Sequence, residues 1–334
     1  MRFGLVGYGF GGRYFHAPLL ASAPEIDFAG VVTRSPDRRA ELAADRPGAK
    51  AYDSLRALAA DGVQAVAIST PADTHVPLAL EAIELGLAVV VDKPFALDAA
   101  SARTALDAAS EAGVPISVYQ NRRWDSDLLT VRRLISSGAL GDVTRFESRF
   151  ERFSPDPGPP AAGGGNLRDF GAHLVDQALL LFGPATHVYA RMDARDADFF
   201  VSLQHAGGVS SLLWGSWVQG APGPRFRVTG TTGTYVVGGM DIQEEQLVAG
   251  HTPATLGDRW GAEPSDRWGR LYRGGPDVET VPTERGRWDL YYPAFAAAVR
   301  GEGPLPVDPW DVVRDIEVLD AARASASTGA TIML

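Results

Sequence analysis

Residues 2 to 32 constrain this chain more than any other stretch. Arg2-Phe3-Gly4-Leu5-Val6 reads as a short buried strand, and Gly7-x-Gly9-x-x-Gly12 follows it at once. An apolar-periodic run from Tyr14 to Leu20 then reads as a helix, and Phe28 to Val32 as a second strand. That order is a βαβ unit built to hold a dinucleotide. Gly7 allows the tight turn, Gly9 lets the loop and its neighbour Phe10 approach a pyrophosphate, Gly12 lets helix pack on strand, and the helix N-terminus faces the phosphates. The end of the second strand selects the nucleotide. An acid there would accept from a ribose 2'-hydroxyl, whereas this chain carries Thr33-Arg34-Ser35, with Arg38 one turn on. A guanidinium pairs with a 2'-phosphate that a carboxylate would repel, so NADP is favoured and NAD is the alternative.

The alternation continues. Helices from Ser35 to Arg46, from Asp53 to Ala60 and from Asp98 to Glu111, and one ending at Leu85, separate strands near 49–52, 63–69, 88–91 and 115–118. Six strands alternating with helices predict a doubly wound parallel sheet, an α/β Rossmann domain over residues 1–119. Val89-Val90-Val91 is buried on both faces and ends in Asp92-Lys93-Pro94. Ligands bind at the carboxyl ends of such strands, which puts Lys93 at the crevice, and the X-Pro bond there can be cis at modest cost. Thr70-Pro71 ends another strand on the same edge and is expected to line the nicotinamide ribose. His75 follows it at a helix start.

Past residue 119 the strands lengthen and alternate. Val143 to Phe153 and Val209 to Val218 predict a large, mostly antiparallel open sheet with one face covered, an α+β domain over residues 120–334. Tyr119 to Trp124 is the expected hinge. Helices are expected near 126–137, 169–182, 290–300 and 309–325. Residues 154–165 form a Pro/Gly loop, and 250–287 show little periodicity.

With 334 residues, 45% of them hydrophobic, the chain can fill two cores. It has no cysteine, which removes thiolate catalysis, disulfides and Cys-bound metals. A net charge of -10 argues against a nucleic-acid surface. No apolar run is long enough for a membrane helix and no leader pattern opens the chain, so a soluble cytoplasmic protein is expected. Asp169 and His173 fall at i and i+4 of a predicted helix, with Asp176 on the same side at i+7. An acid there can orient an imidazole, so His173 could serve as base and Lys93 could hold a developing alkoxide. A metal held by the same three residues finds no further histidine nearby, and none is expected.

Taken together, Gly7-x-Gly9-x-x-Gly12, Phe15-His16-Ala17-Pro18, Thr70-Pro71-x-x-x-His75, Asp92-Lys93-Pro94, Asn121-Arg122-Arg123-Trp124-Asp125 and Asp169-x-x-x-His173 resemble the Gfo/Idh/MocA oxidoreductases over nearly the whole chain. The likeness is greatest to the NADP-dependent scyllo-inositol dehydrogenase branch. The resemblance implies a dehydrogenase of a cyclic polyol or sugar, with Lys93 catalytic, His173 transferring the proton and Asp169 assisting. It also implies cofactor contacts at Thr70, Pro71, His75 and Lys93, substrate contacts from Arg122, Trp124 and Asp176, and a homodimer or homotetramer packed through the open sheet. The family's Glu-Lys-Pro is Asp92-Lys93-Pro94 here, and the 154–165 loop looks shorter than that branch carries over its active site. The rival reading is a dinucleotide sensor without turnover, which would have no need of a general base.

Overall fold

The computed structural model describes residues 1–154 and 165–334. The expected Pro/Gly loop therefore lies, but for its end residues, outside the described residues. The described residues form two compact units. The first comprises Met1–Asn121, Glu244–Trp260 and Trp288–Val313, and the second comprises Arg122–Gln243, Gly261–Arg287 and Arg314–Leu334.

In the first unit, β1 (Arg2–Val6), β2 (Asp27–Val32), β3 (Lys50–Tyr52), β4 (Ala65–Ile68), β5 (Ala88–Asp92) and β6 (Ile116–Tyr119) lie in the order β3-β2-β1-β4-β5-β6. All pairings are parallel. This is the doubly wound sheet that the alternation predicted, and its order reverses between β1 and β4, where ligands bind in such sheets. The residues of β4 and the Ala88–Val91 run of β5 are all buried, as a strand covered on both faces requires. Side-chain caps start the intervening helices: Ser35 for Pro36–Asp45, Ser54 for Leu55–Ala60 and Asp98 for Ala99–Ala112.

Two later segments, which the sequence grouped with the second half, pack on this sheet. Phe3 meets Tyr292 and Phe295 edge-on, the Tyr291 hydroxyl donates to the Val118 carbonyl at 2.8 Å, and the Ser117 hydroxyl donates to the Val307 carbonyl at 2.8 Å. A return of this kind leaves no local signature in sequence. The helix expected from Tyr14 begins instead as a π-helical turn, Gly11–His16, and continues as an α-helix over Ala17–Ser22.

The second unit holds a sheet with nine strands among the described residues. They are β7 (Val143–Glu151), β8 (Ala185–Met192), β9 (Asp198–His205), β10 (Ser210–Ser216), β11 (Phe226–Gly230), β12 (Thr234–Val237), β13 (Gly269–Tyr272), β14 (Val278–Val281) and β15 (Ile332–Met333). Their order is β14-β13-β12-β11-β7-β10-β9-β8-β15, antiparallel except for β7 with β10. One face carries Phe146, Phe150, Val201, Leu203, Leu213, Phe226 and Val228 into a core shared with Leu128, Val131, Leu174 and Val175. Leu212 and Trp214 stand on the half-exposed open face. The stretch 250–287 is not structureless. It contributes β13 and β14, two four-residue strands too short and too exposed to show an alternation.

Candidate active site

The chemistry-bearing residues of the first unit gather at the carboxyl ends of β1, β4 and β5. Gly7 has φ +97°, and a Cβ there would lie 2.2 Å from the Ser69 carbonyl oxygen; one on Gly12 would lie 2.3 Å from the Gly7 carbonyl oxygen. A Cβ on Gly9 would meet nothing within 4 Å. The loop is thus shut on itself at two glycines and open at the third, the shape that a pyrophosphate lying on backbone requires. Phe10 stands exposed beside it.

At the tip of β2, Arg34 is exposed and donates through Nε to the Asp53 carbonyl at 3.1 Å, which steadies its guanidinium. Arg38 is engaged by Glu41 at 2.7 Å, and Glu41 also pairs with Arg13 at 2.9 Å. Arg39, which sequence reading passed over, ties the Thr33 carbonyl at 3.0 Å to the Asp53 carboxylate at 2.6 Å. Pro71 is exposed and Thr70 half-buried at the end of β4. His75 is buried with Nδ1 2.8 Å from the Pro94 carbonyl and Nε2 2.8 Å from the Thr70 carbonyl. Both nitrogens face acceptors within the protein. His75 thus straps the ends of β4 and β5 and shapes the edge through their backbones.

Lys93 follows β5 directly, half-buried, and the Lys93–Pro94 bond is cis. Its own N–H donates to Asp92 Oδ1 at 2.8 Å. Asp92 Oδ2 accepts from the Ser69 hydroxyl at 2.8 Å and lies 3.1 Å from His16 Nε2. Burial pushes the Asp92 carboxyl up, but His16, then Lys93 and His75, outweigh it and hold it well below the usual carboxylate range. One signal was available in the sequence and went unread. Lys50 and Lys93 are the chain's only lysines beside 29 arginines, and Lys50 is a surface residue paired with Asp61. A chain that otherwise uses arginine for charge carries a lysine at 93, at the carboxyl end of β5.

In the second unit, helix Gly165–Phe182 places half-buried Asp169 one turn before buried His173, with Asp176 a further turn on. The His173 ring lies 6.1 Å from Phe150, which stacks on Phe170 at 3.9 Å, and Phe170 packs on Trp217 at 4.7 Å. Arg122 sits 4.7 Å over Phe150, and Arg152 spans Phe150 and Trp217 at 5.2 and 5.7 Å. Arg152, Phe150 and Trp217 were missed because their partners come from separate strands. Arg122 also pairs with Asp125 at 3.3 Å, and Trp124 is half-buried, its carbonyl accepting from Arg287 N–H at 2.9 Å. Asp176 is buried and takes the Arg123 guanidinium through three contacts of 2.6 to 3.1 Å. A carboxylate so engaged is the counter-ion of Arg123.

Residues 1–120 match the oxidoreductase family with an NAD-binding Rossmann fold, and residues 128–236 match the Gfo/Idh/MocA C-terminal domain. The scyllo-inositol 2-dehydrogenase (NADP(+)) of Bacillus subtilis is 33% identical over 348 residues, covering 100% of this chain and 96% of that protein. An uncharacterized oxidoreductase of Escherichia coli is 35% identical, covering 100% and 99%. The solved structure of an oxidoreductase from Yersinia pestis superposes with a TM-score of 0.93 at 32% identity, covering 100% of this chain and 97% of that one. The chain therefore belongs to the Gfo/Idh/MocA family and is an NAD(P)-dependent dehydrogenase acting on CH-OH groups.

Proposed function

We propose that the substrate is a cyclic polyol or sugar of the inositol kind and that NADP is the preferred cofactor. What supports this reading is that the first unit carries an amine at the end of β5 and the second a buried imidazole with a carboxylate one helical turn before it. A sensor would have no use for that set. The bound nicotinamide supplies hydride acceptance or donation. His173 takes the hydroxyl proton, Asp169 favours the tautomer that can do so, and Lys93 holds the oxygen as charge develops. Arg122 and Trp124 contact the substrate, while Gly7, Gly9, Phe10, Gly12, Thr70 and Pro71 hold the dinucleotide. Thr33 and Arg34 supply the preference for a 2'-phosphate, since no carboxylate side chain occupies the tip of β2 to repel it.

Residues 1–119 act as the dinucleotide domain and the remainder as the substrate domain of a cytoplasmic homo-oligomer. The oligomer is built through the open sheet face, where Trp214 packs on Phe200 at 5.2 Å with Arg149 4.0 Å above it. A panel of cyclic polyols and sugars, read by absorbance of the reduced cofactor with NAD and NADP in parallel, tests the reading. Turnover of an inositol or a related ring, faster with NADP, is expected. Tight NADP binding without turnover of any member would favour the sensor instead.

A further inference from the structure

His16 has no place in the chemistry above, yet its side chain is fully buried, with no exposed surface. The π-helical turn Gly11–His16 ends on it and delivers its ring between two partners. Single π turns of this sort are rare and gather at functional sites. Nδ1 meets the Tyr292 hydroxyl at 2.5 Å, Nε2 meets Asp92 Oδ2 at 3.1 Å, and the ring packs on Tyr119 at 4.3 Å between centroids. Burial raises the Tyr292 phenol well above its ordinary range, so it keeps its proton. Nε2 faces Asp92 at ion-pair distance without an N–H aligned on the carboxylate.

Asp92, its side chain 17% exposed, is held at both oxygens. Ser69 and His16 hold Oδ2, and Oδ1 is held by the N–H of Lys93 itself. The glycine loop closes the remaining approach, since a Cβ on Gly11 would lie 2.9 Å from Asp92 Oδ2 and 2.7 Å from Ser69 Oγ. We propose that His16 is a positioning residue for Lys93: held by Tyr292, it fixes the Asp92 carboxylate and through it the direction in which the Lys93 amine leaves the strand. The inference rests on the reading that Lys93 serves the reaction, and its test separates the two.

The chain's two lysines allow a direct readout. Wild type, His16→Leu, His16→Gln and Tyr292→Phe are acylated at low conversion with the succinimidyl ester of acetic acid, and Lys93 and Lys50 are quantified by peptide mass. His16→Leu is expected to change the Lys93 rate by about threefold or more while Lys50 stays constant. His16→Gln, which keeps an N–H for Asp92, should restore most of the wild-type rate. Tyr292→Phe removes only a hydroxyl and carries the test if His16→Leu does not fold; its change should be smaller and in the same direction. In turnover of the best polyol from the panel, His16→Leu should lose roughly tenfold in kcat with KM for NADP unchanged, and nothing further in a Lys93→Met background. An unchanged Lys93 acylation rate, or the same loss in both backgrounds, would overturn the inference. Normal turnover of Lys93→Met alongside an altered acylation rate would remove the catalytic role of Lys93 and leave the positioning intact.

Discussion

A guanidinium can meet a phosphate, a carboxylate or a backbone carbonyl, and the arginines around the candidate sites divide along these lines. Arg34 is anchored through Nε alone, so Arg34→Ala should weaken NADP binding by about 1.5 to 3 kcal/mol while leaving NAD nearly untouched. Titration of both reduced cofactors by fluorescence measures this, and an equal loss for the two would reject the assignment. Arg123 is instead consumed by Asp176 in a buried, two-pronged pair. Asp176→Ala removes a carboxylate that meets that buried guanidinium through three contacts, so the variant should lose about 3 to 5 kcal/mol of stability in urea. Unchanged stability with a raised substrate KM would return Asp176 to the substrate.

At the scale of the element, the start of helix Ser126–Ser136 gathers more buried carboxylates than it has cations to match. Asp241 accepts from Ser126 N–H at 2.6 Å, Glu263 accepts from the Ser126 hydroxyl at 3.1 Å and Ile242 N–H at 2.8 Å, and Asp127 lies 3.4 Å from Arg225. Burial, aided by Asp241, pushes Glu263 up to about 7 against the pull of Arg267. Burial likewise lifts Asp127 to about 6 against Arg225. A carboxyl raised in the folded state binds more protons there than when unfolded, so stability must fall as pH rises from its ordinary value towards the raised one. Glu263→Gln cannot ionise and escapes that loss. Its Tm relative to wild type should rise by about 2 to 4 °C between pH 5 and pH 8, measured by thermal unfolding at both. A constant difference across that range would show that Glu263 is ionised throughout.

For the whole molecule, legibility followed the distance over which a pattern is written. β1, β4, β5 and β6 could be read because each is an almost continuous buried run, and β7 and β10 because their alternation is long. The glycine loop, Lys93 and the Asp169–His173 spacing are local and were visible in the same way. The return of residues 244–260 and 288–313 to the first unit was not, nor was the His16–Asp92 contact, whose partners are separated by seven strands and α-helices of sequence. A lone histidine between apolar neighbours reads as core until its partners are known. The exposed strands β13 and β14 were hidden for a different reason, since neither face of a short edge strand is covered enough to select apolar residues.

The central claim is that His173 moves the hydroxyl proton without helping to hold the cofactor. Its most direct test is kcat of His173→Ala on the best polyol of the panel, set beside the Kd for NADPH from fluorescence. The account predicts a loss of roughly 100-fold or more in kcat with Kd nearly intact, and a smaller loss for Asp169→Asn, which keeps the shape but removes the charge. Near-normal turnover of His173→Ala would contradict it and place the base elsewhere, with the amine of Lys93 the first candidate.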